Sequence, residues 1–127
     1  MSTVHCNTVQ TSSGGPVTLT KQQAAKAWVN FNGVGTVSVR SSLNHASLTD
    51  NATGDYTTSF TSSFANNDYT IGGTTRHPGT ASGGVYQGPH TNDSDQATGS
   101  LRAYTITAGN AVADMQYCFP VFIGDLA

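Results

Sequence analysis

His77 and His90 bracket a polar stretch that holds Ser82, and Asp93 and Asp95 follow it, which together are the residue types of a serine–histidine–carboxylate set. Such a set works only through mutual geometry, and the context of Ser82, T-A-S-G-G, lacks the glycine two residues earlier that a nucleophile elbow needs. No paired carboxylates with a substrate groove are evident, so no enzymatic activity is expected. Asn92, Asp93 and Asp95 offer oxygen atoms to a hard cation, as do Asp50 and Asp55 around a second turn. The dense acidic calcium loop closed by glutamate is absent, because the chain has no glutamate. Side-chain bonding to the local backbone is the expected role of these residues, and no metal or other cofactor is expected.

Cys6 and Cys118 lie near opposite ends and match no zinc spacing; with no export signal at the N-terminus they are expected to be reduced thiols. Gly33 and Gly35 are followed by neither lysine nor helix, which excludes a phosphate cradle. The sequons at Asn51 and Asn92 carry meaning only in a secreted chain. For recognition, the stretch 73–99 is richer: Arg76, His77, Tyr86, His90, Asn92 and Asp93 form a polar and aromatic mixture that can hold sugars by stacking and hydrogen bonding. These six are the receptor-contact candidates, the alternative being a solvated loop.

The elements that must position them are strands. The chain has 127 residues, enough for one core, and only 9% are charged; Thr, Val, Tyr and Phe favour the pleated surface, and Gly and Asn favour turns. A net charge of −2 with scattered Lys and Arg argues against nucleic acid as a partner, and no apolar run reaches membrane-spanning length.

The stretch Lys26–Arg40 holds the only Trp and reads as a β-hairpin across Asn32–Gly35. Ala27, Val29 and Phe31 share one face, opposite Trp28; after the turn Val37 and Val39 share a half-buried face. Alternation continues in Tyr56, Thr58 and Phe60, and Leu101, Ala103 and Thr105 alternate against Arg102, Tyr104 and Ile106. Tyr69 and Ile71 start a strand that is expected to end at Gly72-Gly73. In the last apolar run Met115, Tyr117, Phe119, Val121 and Ile123 fall on one face of what is expected to be a central strand. Pro120 argues for an edge or bulge there. Residues 72–100 are glycine-rich and read as a long loop with a brief strand at Val85 and Tyr86.

Residues 1–25 read as an N-terminal arm, with a single helical turn or linker over Lys21–Lys26, and residues 26–127 as an antiparallel β-sandwich of jelly-roll type. The arm's short runs cannot offset the entropy of ordering themselves. Val4, Cys6, Val9, Val17 and Leu19, together with Trp28, are therefore the oligomerisation candidates.

The run A-A-K-A-W-V-N-F-N-G-V-G-T-V-S-V-R-S-S-L-N, followed by S-L-T-D-N-A-T-G-D-Y-T-T-S-F, resembles a segment of tail-fibre-like virion proteins of tailed bacteriophages of cyanobacteria and marine bacteria. The likeness covers residues 2 to about 69 and includes the arm. It implies a homotrimeric fibre or fibre tip, made in the host cytoplasm and resident in the virion, that contacts other virion proteins and a host surface glycan. The competing expectation is a cement protein that decorates the capsid.

Overall fold

The computed structural model describes residue 13 and residues 25–77, 79, 83–88 and 93–127. The antiparallel all-β architecture expected from the sequence is present. Its strands are β1 (Ala25–Asn32), β2 (Ser38–Leu43), β3 (His45–Ala52), β4 (Asp55–Phe60), β5 (Thr70–Arg76), β6 (Gly83–Gln87), β7 (Gln96–Ala97), β8 (Ser100–Thr107) and β9 (Tyr117–Ile123), with a 3-10 turn at Asp93–Asp95.

All nine strands among the described residues belong to one sheet with the path β2-β1-β9-β5-β6-β8-β4-β3, and β7 adds to β8. The sheet curls, so its two halves form the layers of a nearly closed, barrel-like body. Its two end strands, β2 and β3, are consecutive in the chain and joined through Asn44 alone. That corner needs a left-handed residue, and Asn44 has φ 52°. Its side chain fixes the corner, accepting from the Ser62 amide at 2.7 Å and donating to the Ser62 carbonyl at 3.0 Å.

Period-two alternation builds the interior. Ala27, Val29 and Phe31 of β1, Tyr56, Thr58 and Phe60 of β4, and Leu101, Ala103 and Thr105 of β8 all point inward, each set sharing one face as its spacing requires. Phe31 and Tyr56 meet edge to face at 5.0 Å, linking strands that are remote along the sheet path. At the other end Phe60 packs on Phe64 and Phe122, each at 5.0 Å, and Tyr69 stacks on Phe64 at 4.3 Å.

Polar bonds lock the rim. The Tyr56 hydroxyl lies 2.9 Å from Asp114 Oδ1 and 3.0 Å from the Gly33 carbonyl, and Asp114 also accepts from the Gly54 amide at 2.7 Å. Burial first, and then the Asp114 carboxylate, push the phenol well above its ordinary pKa, so Tyr56 stays a neutral donor. Gly33 is glycine for lack of room: a Cβ there would overlap the Tyr56 hydroxyl and come within 2.9 Å of Cζ.

Several expectations are corrected. The second strand of the hairpin is exposed along its whole length, because β2 ends the sheet path and only β1 pairs with it; Val39 is exposed and only Val37 packs partly on the core. The strand after Tyr69 does not stop at Gly72-Gly73 but continues to Arg76; the brief strand expected at Val85 and Tyr86 is β6, and β7 and a 3-10 turn occupy a further part of the expected long loop. Lys26 is in a strand, not a helical turn; residues 21–24 lie outside the described residues.

Last, β9 buries Cys118, Pro120 and Phe122, the opposite parity from that expected, although Met115 just before it is buried. The strand is interior, between β1 and β5. It tolerates Pro120 because the β1 ladder lapses there: Trp28 pairs with Val121 and the next pair is Phe31 with Cys118.

Candidate binding face

The reversed parity of β9 turns Tyr117, Phe119 and Val121 to the outside of the sheet. On β5, Arg76 lies opposite Tyr117, Thr74 opposite Phe119 and Gly72 opposite Val121; on β1, Trp28 lies opposite Val121, and on β2 Leu43 lies opposite Trp28. Directly paired residues in antiparallel strands share a face. Trp28, Leu43, Val121, Phe119, Tyr117 and Arg76 therefore occupy one outer surface. Trp28 is half-buried, while Phe119 is 41% exposed and Leu43 48% exposed.

A β-bulge brings one more group. The β1–β2 register shifts between Asn30 and Phe31, pairing Asn30 with Ser41 and Phe31 with Val39, so Arg40 is the extra residue. Its guanidinium donates to Asn30 Oδ1 at 3.3 Å and to the Gln116 carbonyl at 2.7 Å, and it lies 4.6 Å from the Tyr117 ring centroid. Arg76 approaches the same ring to 5.9 Å. Tyr117 and Phe119 stack at 6.2 Å with ring planes 19° apart. Aromatic faces beside fixed N–H donors are what a sugar ring or a protein side chain needs for stacking and hydrogen bonding; the arrangement contains no nucleophile with a base.

The sequence-predicted residues divide. Arg76 and Trp28, one expected as a receptor contact and the other at an oligomer interface, share this surface. His77 follows directly at the end of β5, half-buried. Tyr86 lies in β6 opposite Thr105, and Asp93 begins the 3-10 turn, which packs on β7 and β8 away from Arg76. His90 and Asn92, and likewise Val4, Cys6, Val9, Val17 and Leu19, lie outside the described residues.

Sequence reasoning missed Arg40, Tyr117 and Phe119. The only available signal was that both parities of β9 are apolar, which left its inward face undecided.

The carboxylates of the Asp50–Asp55 turn have separate structural settings. Asp50 is exposed, whereas Asp55 is buried and receives Arg102 Nε at 3.1 Å and Nη2 at 2.7 Å. Asn51 Nδ2 also donates to Asp55, at 3.3 Å. Among the described residues no three His, Cys or Asp side chains are grouped so as to hold a metal ion. A separate cleft of about 550 Å³ opens at the β2–β3 seam between Lys26, Leu43, His45, Thr61 and Leu126. His45 Nε2 is buried there without a hydrogen-bond partner, and burial lowers the imidazole pKa. Compared with protein-family models, with curated proteins and with solved structures, the chain matches none.

Proposed function

We propose that this protein is a non-enzymatic virion component of a tailed bacteriophage, a homotrimeric tail fibre or fibre tip that attaches to other virion proteins and contacts a glycan on the host surface. The observation that supports a binding role is the outer face of β1, β2, β5 and β9, where Trp28, Tyr117 and Phe119 lie beside Arg40 and Arg76 on a rigid sheet. Rigid aromatic surface with a few fixed donors suits sugar recognition, because little side-chain entropy is lost on binding. The assignment to a phage virion rests on the sequence resemblance over residues 2 to about 69.

A cement protein on the capsid is the second reading. It is favoured by the exposed apolar residues Leu43, Val85, Val112 and Phe119, which suit contact with another protein. Purified protein is expected to scatter light as a trimer at micromolar concentration and to bind cyanobacterial or marine bacterial host cells. Phe119→Ser is expected to abolish that binding with unchanged far-ultraviolet circular dichroism. A monomer refutes the trimer; adsorption unaffected by the substitution refutes the role of this face; density on the head lattice of the particle selects the cement reading.

A further inference from the structure

The charges of this protein are segregated across the sheet. Strands β1, β2, β5 and β9 carry Lys26, Arg40 and Arg76 and not one acidic residue, whereas Asp50 and Asp55 are in β3 and β4. The net charge of −2 therefore conceals a half of the body whose strands are purely cationic. Arg102, on β8, is neutralised by Asp55. Arg40 and Arg76 have no carboxylate partner among the described residues, and both are exposed.

The placement of the two arginines is more specific than their charge. They come from opposite sides of β9, Arg40 from the β2 bulge and Arg76 from β5, and both guanidinium groups lie over Tyr117, at 4.6 and 5.9 Å from its centroid. Arg40 is already oriented by Asn30 and the Gln116 carbonyl, neutral acceptors that leave its charge unopposed and its remaining N–H groups available. An arginine that is held in place yet uncompensated is prepared for an anion, since the fork geometry of its donors matches a carboxylate. Phe119, which is exposed and stacked beside the ring between the arginines, adds a stacking surface for the body that carries the anion.

We infer that the outer face of β1, β2, β5 and β9 binds an acidic polysaccharide, with sugar carboxylates on the outward N–H groups of Arg40 and Arg76, which flank Tyr117, and a sugar ring against Phe119. This deepens the glycan-contact reading above and rests on it. Trp28 lies two positions along β1 from Asn30, which bonds Arg40, and it is the only tryptophan, so its fluorescence reports occupancy of the same face.

The test titrates the full chain with a hexamer of galacturonic acid, a neutral β-glucan hexamer and a thymidine hexanucleotide, followed by Trp28 fluorescence and calorimetry. The acidic hexamer is expected to bind at least about tenfold more tightly than either control, and to weaken as salt is raised from about 0.05 to 0.5 M. Arg40→Gln and Arg76→Gln are each expected to weaken it by about tenfold or more, and Arg76→Lys by less than Arg76→Gln, because lysine keeps the charge and loses the fork. Circular dichroism checks the fold of each variant, and Arg76, which is exposed, guards against misfolding of the bulge variant.

Equal binding of acidic and neutral hexamers with no effect of either arginine substitution overturns the preference for acid and leaves the glycan-contact reading standing. No binding of any hexamer at millimolar concentration overturns both. Equal arginine-dependent binding of the hexanucleotide overturns the proposal in favour of a general polyanion surface.

Discussion

Gly33 and Tyr56 are expected to behave as one unit, and a double-mutant cycle measures how tightly they are coupled. Tyr56 is fully buried, and its hydroxyl is shared between the Gly33 carbonyl and Asp114 Oδ1. Tyr56→Phe removes one donor from two acceptors. Asp114 keeps the Gly54 amide, so the main loss is at the buried Gly33 carbonyl, and the expected cost is about 1–3 kcal/mol. Gly33→Ala adds a methyl group that overlaps the same hydroxyl and lies 2.9 Å from Tyr56 Cζ and 3.0 Å from the Met115 carbonyl. Gly33 does not have a positive φ, so alanine is not strained by backbone conformation, and the penalty, about 1–3 kcal/mol or more, comes from overpacking.

In the Tyr56→Phe background the worst overlap is gone. Gly33→Ala is then expected to cost at least about 1 kcal/mol less than in the wild type, a coupling well above the additivity error of about 0.5 kcal/mol. Urea midpoints at constant m-value measure all four corners of the cycle. Additive costs refute the reasoning, and show that the Met115 carbonyl or the backbone around Gly33, rather than the hydroxyl, sets the limit.

Two further outcomes follow from burial. Phe31→Ala is expected to cost about 3–5 kcal/mol, since the side chain is fully buried against Tyr56, and Trp28→Ala, on the outer face, clearly less; equal shifts in thermal melting refute the assignment of faces on β1. Burial pushes the Cys118 thiol up to about 12 from its ordinary 9.0, so above about pH 9 the unfolded chain releases a proton that the folded chain keeps. Stability is therefore full below about pH 9 and is expected to fall by up to about 1.4 kcal/mol per pH unit until about pH 12 from this group alone. The slope is expected to be shallower in Cys118→Ala, as read by denaturation at stepped pH, and an unchanged slope refutes the thiol's part in it.

Local physics makes much of the body legible in the sequence. β-Branched and aromatic residues at period two with glycine-rich breaks specify strands, and in β4 only one parity carries the large apolar groups, whereas β1 sets Ala27, Val29 and Phe31 against Trp28 and β8 sets Leu101 and Ala103 against Tyr104 and Ile106. The turn after Asn32 is equally readable: Asn32 Nδ2 donates to the Val34 carbonyl at 2.7 Å, and Gly35 takes φ 68°. In β9 the pattern is indecisive. Cys118, Pro120 and Phe122 on one parity and Tyr117, Phe119 and Val121 on the other are both apolar, so alternation defines two faces without naming the inner one.

The neighbours of β9 make the choice. With β1 fixed by Phe31 and β5 approaching through Gly73, whose added Cβ would come within 2.8 Å of the Phe119 carbonyl, β9 packs with Phe122 inward. The binding face follows from that choice, because Arg40, Arg76 and Tyr117 are far apart in the chain and meet only through strand order and a one-residue bulge. Which residues can form strands is written in the order of side chains, since β-propensity and alternation act over a few neighbouring positions. Which of those side chains face solvent together depends on pairing between strands distant in the chain, and that is fixed only when the sheet closes.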